Sequence, residues 1–233
     1  MAESEPIWID TRSQLEHQLG HVPSARHLEL TAPRIRLRDD DELQALASGL
    51  AEINSRLALS PGAHLICYDQ GLSARLARTA FFLLLGGHDL ELMTGGFEEL
   101  LTETGEYHPE PIEPWVDLRT EYLLTAEQVR DFPRILDVRT REEYQGRQKA
   151  ACDPRSGRIP GAEFAPLDLF FEPNSLLDKI KVKAGEPVGV YCHSGARSSV
   201  AFFILRSLGV PARNYLGSMH EWSSEPDLPV ETD

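Results

Sequence analysis

The chain has 233 residues, of which 41% are hydrophobic and 26% charged, which is typical of one large or two compact folded domains and excludes wholesale disorder. Its 23 basic and 37 acidic residues give a formal net charge of −14, which disfavours binding to nucleic acid. The longest aliphatic and aromatic run, at 80–85, is too short to cross a bilayer, and the N-terminus lacks the features of a signal peptide. We therefore expect no nucleic-acid or membrane partner and a cytoplasmic location.

Strand-like and helix-like segments alternate along the chain. A strand is predicted at 7–9, near the start. In the second half the predicted elements are a helix at 125–131, strands at 134–138 and 187–191, a helix at 198–208 and a strand at 213–216. This rhythm predicts parallel strands joined by right-handed crossovers, and therefore an α/β fold.

Sequence elements of the first half recur in order in the second half. Ile9-Asp-Thr-Arg matches Leu136-Asp-Val-Arg, Gly20-His-Val-Pro matches Gly157-Arg-Ile-Pro, Cys67-Tyr-Asp matches Val190-Tyr-Cys, and Ala80-Phe-Phe matches Ala201-Phe-Phe. A proline-rich acidic stretch at 108–114 separates the copies. The repeat predicts a first domain at 1–108, a linker at 109–121 and a second domain at 122–233.

The three cysteines are too few for a disulfide framework and form no CxxC pair, so we expect no structural zinc site. Cys67 lies within a predicted strand and is expected in the core. Cys152 lies in a loop; we expect an ordinary thiol there, with trapping of a reactive sulfur as the alternative. Cys192 differs because it ends a predicted strand and precedes a tight turn into a helix.

The segment from Cys192 to Ser198 predicts a reactive thiol. Backbone N–H groups and the positive end of a helix dipole converge where such a loop enters a helix. Gly195 allows the backbone to turn inward, and Ser198 is predicted to cap the helix. This environment lowers the pKa of a thiol. The hypothesis requires that the amides face the sulfur and that solvent reaches it.

These motifs resemble the rhodanese (sulfurtransferase) family, specifically its tandem-domain members. The segments that carry the resemblance are 137–139, 157–162, 192–198, 214–218 and 221–222. The resemblance implies two rhodanese-like domains, each a small parallel sheet flanked by helices. It also implies that only the second domain carries a nucleophile, in agreement with Asp69 at the cysteine position of the first.

The resemblance implies a sulfurtransferase in which Cys192 takes a sulfane sulfur from a small anionic donor and carries it as a persulfide. The acceptor is then cyanide, a small thiol or a thioredoxin-like protein, and no metal or organic cofactor is needed. The implied substrate-binding residues are His193, Ser194, Gly195, Ala196, Arg197, Ser198 and Arg155.

The choice of donor depends on a few positions. Ser194 is typical of family members that use 3-mercaptopyruvate, whereas the Arg197-Ser198 pair is typical of members that use thiosulfate. Glu143 occupies a position at which the former members bind the donor carboxylate with arginine, although Arg155 or Arg147 could substitute. We expect thiosulfate, with 3-mercaptopyruvate as the alternative.

Two more remote functions remain open. A cysteine-dependent phosphatase needs five residues between cysteine and arginine, whereas four separate Cys192 from Arg197. A non-enzymatic rhodanese-like binding module would take up no sulfur. Outside the loop, we expect Asp137 and Arg139 to form a structural ion pair and His21 to bond locally within its turn.

Overall fold

The computed structural model describes residues 5–30 and 35–233. The N-terminal residues 1–4, where we looked for a signal peptide, lie outside this part. The chain divides into two compact units, one formed by Met1–Thr31 with Gln44–Arg119 and the other by Ala32–Leu43 with Thr120–Asp233. The second unit thus includes a short segment from the first half of the sequence, and the bounds 1–108, 109–121 and 122–233 remain a prediction.

The first unit contains a parallel sheet of four strands in the order β2-β1-β3-β4. In chain order its elements are β1 (Ile7–Asp10), α1 (Gln14–Leu19), β2 (Arg26–His27), α2 (Asp40–Arg56, which begins in the segment grouped with the second unit), β3 (His64–Tyr68), α3 (Ala74–Leu85) and β4 (Asp89–Met93). Ser13 begins α1 with a capping box that includes Glu16. Cys67 lies in β3 and is fully buried, so its predicted place in the core is confirmed.

The second unit repeats this topology as a parallel sheet in the order β6-β5-β7-β8. Its elements are α4 (Ala126–Asp131), β5 (Ile135–Asp137), α5 (Arg141–Tyr144), β6 (Glu163–Phe164), α6 (Pro173–Lys179), β7 (Val188–Tyr191), α7 (Ala196–Ser207), β8 (Ala212–Asn214) and α8 (Ser218–Ser224). The predicted α/β class with tandem domains, each a parallel sheet flanked by helices, is confirmed.

The predicted cap of the helix after the reactive loop is wrong. Gly195, not Ser198, begins α7, with a left-handed φ of 86° that favours glycine. Ser198 lies in the first turn of α7 and is buried. A backbone turn therefore starts the helix, and the serine hydroxyl is left to face the loop.

Each unit has a buried aspartate–arginine ion pair at the end of its first strand. In the second unit, Asp137 at the end of β5 accepts hydrogen bonds from the backbone and guanidinium of Arg139 and from the Tyr191 hydroxyl. Asp137 is paired in register with Tyr191, which immediately precedes Cys192. The predicted structural ion pair is confirmed, and it holds the strand from which the reactive loop departs.

Across residues 5–30 and 35–233, no helix is long and apolar enough to cross a membrane.

Candidate active site

The side chain of Cys192 lies at the carboxyl end of β7, where the chain turns within four residues into α7. Gly195 makes this turn possible because a Cβ there would lie 2.8 Å from Leu216 Cδ2 and 3.0 Å from the Leu216 carbonyl oxygen. Another side chain at this position would therefore push the loop away from its support. Ala196, one of the predicted binding residues, is the first residue of α7.

Polar hydrogens converge on the sulfur. The Gly195 amide donates to Cys192 Sγ at 3.2 Å and the Ser198 hydroxyl donates at 3.6 Å. Burial by itself raises the pKa of the Cys192 thiol. The charge of Arg197 and the hydrogen bonds from Ser198 and from the Ser194 amide outweigh burial, so the pKa lies below its usual value.

Replacing Ser198 with alanine is expected to raise the pKa of Cys192, because the thiolate loses a hydroxyl donor. The direction of the change is that expected for the loss of one hydrogen bond to a charged group. The pH dependence of the alkylation rate of Cys192 measures it, with Ser199→Ala as the matched control because that hydroxyl donates to the Gly195 carbonyl instead. An unchanged profile in Ser198→Ala would contradict the assigned contact.

Burial limits access to the sulfur. Cys192 is only 1% exposed, so the structure meets one requirement of the sequence hypothesis, amides facing the sulfur, and not the other, a thiol that solvent reaches. In this conformation the residue offers very little surface to a donor molecule. We expect the reaction with a donor to involve a local movement of the loop or of the residues around it.

Helix α8 supports the loop through three hydrogen bonds. The Cys192 amide donates to Ser218 Oγ at 3.1 Å, and the Cys192 carbonyl accepts from the Met219 amide at 3.1 Å. The His193 carbonyl accepts from the His220 amide at 2.8 Å. Ser218 lies in the segment 214–218 that carries the family resemblance, but sequence reasoning gave it no role in the site.

Arg197 forms a two-pronged ion pair with Glu143, at 2.7 and 2.8 Å between nitrogen and oxygen atoms. Burial opposes ionisation of Glu143, but the hydrogen bonds from Arg197 and from the Thr140 amide lower the pKa of Glu143 to about 2. Glu143 is therefore ionised at neutral pH. A cleft of about 490 Å³, whose lining includes Arg139, Arg141 and Arg197, lies on this side of the loop.

Arg155 lies in a different setting from the predicted one. Its guanidinium donates to four backbone carbonyls, those of Trp222, Ser223, Glu225 and Leu228. These bonds occupy most of its donors, so the contacts of Arg155 are those of a residue that holds the chain after α8 in place. Its binding of substrate remains a prediction that the geometry does not favour.

His193 contacts the loop that contains Cys152 and Asp153. Its Nε2 lies 3.1 Å from Asp153 Oδ1, and the same oxygen lies 3.0 Å from His220 Nδ1. This carboxylate raises the pKa of His193. Cys152 Sγ lies 3.8 Å from the Nε2 atom of His193, which belongs to the reactive loop.

The first unit has a carboxylate where the second has the thiol. Asp69 follows β3 as Cys192 follows β7, and it accepts hydrogen bonds from the Gln70 amide, the Ser73 hydroxyl and the Arg75 guanidinium. His21 Nδ1 lies 3.0 Å from the His17 carbonyl, as expected for a local turn contact. The donors of this loop in the first unit thus bind its own Asp69 carboxylate.

Comparison with known proteins decides the family. The model of the rhodanese-like domain matches residues 1–103 and again residues 120–225, which together make up most of the chain. The chain belongs to the rhodanese-like domain family. Both matches agree with the duplicated parallel sheets and with the position of the loop that follows the third strand of each.

Among rhodanese relatives, the sulfur carrier protein TtuD of Thermus thermophilus is 26% identical over 93% of this chain and 87% of its own. A 3-mercaptopyruvate sulfurtransferase of Mus musculus is 26% identical over 91% of this chain and 80% of its own. A solved structure described as "Probable Thiosulfate Sulfurtransferase" is 52% identical, covers 99% of both chains and superimposes with a TM-score of 0.93. These similarities support a sulfurtransferase function and leave the sulfur donor open.

Proposed function

We propose that the protein is a thiosulfate sulfurtransferase that works through a persulfide on Cys192. The observation that carries the proposal is the convergence of the Gly195 amide and the Ser198 hydroxyl on Sγ at the carboxyl end of a central parallel strand. The 52% identity to a structure described as a "Probable Thiosulfate Sulfurtransferase" supports the same activity.

The proposed reaction has two steps. The Cys192 thiolate attacks the outer sulfur of thiosulfate, an S–S bond forms to Cys192, and the S–S bond of the donor breaks with its electron pair leaving on sulfite. Cyanide or a thiolate acceptor then attacks the terminal sulfur and leaves as thiocyanate or as an acceptor persulfide, which regenerates the Cys192 thiolate. The polar hydrogens around Sγ stabilise negative sulfur in both states.

The residues beside the loop favour thiosulfate over 3-mercaptopyruvate. Where members that use 3-mercaptopyruvate bind the donor carboxylate with arginine, this chain has Glu143, which is ionised and paired with Arg197. The two arginines considered as substitutes have partners within the chain: Arg155 binds backbone carbonyls, and Arg147 donates to Gln145. A carboxylate-bearing donor thus finds no dedicated arginine among the residues that we predicted for it.

With cyanide as acceptor, we expect kcat/KM to be at least about tenfold higher for thiosulfate than for 3-mercaptopyruvate. Steady-state kinetics on one preparation, followed by thiocyanate formation, measures both values. In the control variant Arg155→Gln we expect an unchanged KM for both donors and a lower melting temperature, because four carbonyls lose their donor. Two results would overturn the assignment of the donor. One is a preference of the wild type for 3-mercaptopyruvate, and the other is a loss of activity toward 3-mercaptopyruvate in Arg155→Gln.

A further inference from the structure

Four side chains with metal-binding atoms meet beside the reactive loop. They are Cys152, Asp153, His193 and His220, and their ligand atoms all lie within 4.8 Å of one another. The first two belong to the loop before β6, His193 follows β7, and His220 lies in α8. The cluster does not include Cys192, and the proposed reaction assigns no step to it.

Five of the six distances within the cluster are close to those of a tetrahedron, and the sixth, between His193 Nε2 and His220 Nδ1, is at most 4.8 Å. Asp153 Oδ1 lies 3.1 Å from His193 Nε2, 3.0 Å from His220 Nδ1 and 3.7 Å from Cys152 Sγ. Cys152 Sγ lies 3.8 and 3.9 Å from the same two histidine nitrogens. Ligands bound at 2.0–2.3 Å around a tetrahedral metal ion are separated by about 3.3–3.8 Å. Five edges of the tetrahedron therefore need shifts of only a few tenths of an ångström.

The donor set also selects the metal. One thiolate, two imidazoles and one carboxylate are the ligands that zinc takes in tetrahedral protein sites. Asp153 is 4% exposed, whereas Cys152 is exposed and the two histidines are partly so. One oxygen of a nearly buried carboxylate is thus oriented toward both imidazoles, and the exposed thiol leaves a route for an ion from solvent.

We propose that Cys152, Asp153, His193 and His220 form a binding site for a divalent zinc ion. Zinc displaces the thiol proton of Cys152 to solvent, and no oxidant or reductant is required. The proposal does not depend on the sulfurtransferase mechanism. Sequence analysis expected no structural zinc site because the three cysteines form no CxxC pair, whereas the fold brings together residues separated by up to 68 positions.

Cobalt titration of the chelator-stripped, desalted full chain tests the site. We expect one equivalent of Co²⁺ to give the visible spectrum of a four-coordinate ion together with a thiolate-to-cobalt charge-transfer band. Zinc should displace it with a dissociation constant below about 1 μM. Zinc should also raise the melting temperature of the protein, because it binds the folded state.

The three cysteines provide matched variants. Cys152→Ser should remove the charge-transfer band, and His220→Ala should weaken zinc binding by at least about 100-fold. Cys192→Ser and Cys67→Ala should leave both unchanged. Loss of the band in Cys192→Ser would place the metal on the reactive thiol and overturn the proposal. Weak binding by the wild type, or binding indifferent to Cys152→Ser and His220→Ala, would show a hydrogen-bonded cluster only.

Discussion

Replacing Cys192 with serine is expected to lower sulfurtransferase turnover by at least about 1,000-fold, because serine cannot carry the transferred sulfur. Mass spectrometry after thiosulfate treatment should show the mass of one added sulfur atom on the Cys192 peptide of the wild type and none in the variant. The fold should survive, since the hydroxyl is close in size to the thiol and the amides around it remain donors. Circular dichroism and the melting temperature check this.

The other two cysteines control for general effects of losing a thiol. Cys152 is exposed and Cys67 is buried in the other unit, so Cys152→Ser and Cys67→Ala should both keep the added sulfur on Cys192. Two results would contradict the mechanism: turnover that survives in Cys192→Ser, or a wild type that takes up no sulfur. The second would mean that the burial of Cys192 persists in solution and would favour a binding module.

Replacing Asp137 with alanine is expected to lower the free energy of unfolding of the second unit by about 3–5 kcal/mol. The reason is that Arg139, which is 4% exposed and donates to Asp137 at 2.6 Å, would keep its charge in the interior without its carboxylate partner. The Tyr191 hydroxyl would lose its acceptor as well. Urea unfolding followed by hydrogen exchange in β5 and β7 measures the loss in that unit.

Asp10→Ala is the matched variant because Asp10 makes the same contacts with Arg12 and Tyr68 in the first unit. It should destabilise β1 and β3 and leave the exchange of β7 little changed. The pKa of Asp10 is lowered, because its hydrogen bonds with His17 and Arg12 outweigh burial. Its stabilising effect should therefore be present at neutral pH and decline as pH falls below the pKa of an unfolded aspartate.

A decrease of less than about 1 kcal/mol in the free energy of unfolding of Asp137→Ala would refute the role of the buried pair.

The sequence predicted what depends on local order and on the repeat. The capping box of Thr125 with Gln128 fixes α4 where it was expected, and Asp69 lies at the position equivalent to Cys192. The bounds of α7 were wrong by two residues at the start because a left-handed glycine, and not a serine side chain, begins the helix.

Long-range contacts were beyond the sequence. Glu143 and Arg197 are 54 positions apart, and their pairing depends on how α5 packs beside the loop. The sequence predicts that Arg155 binds an anionic donor, whereas the fold places its guanidinium among backbone carbonyls. The burial of Cys192 could not be predicted either, because a strand end in a parallel sheet is compatible with both an open and a covered thiol.

Because Asp69 replaces the cysteine in the first unit, that unit can serve as an internal control for the second. Both units keep the aspartate–arginine pair, the strand-end tyrosine and a glutamate that closes a capping box, and they differ at the atom that would react. A treatment that perturbs the shared scaffold should change both units of the same chain in one experiment. A reaction at the sulfur of Cys192 should change only the second unit. An effect confined to that unit therefore distinguishes reaction at the thiol from damage to the scaffold, without a second protein for comparison.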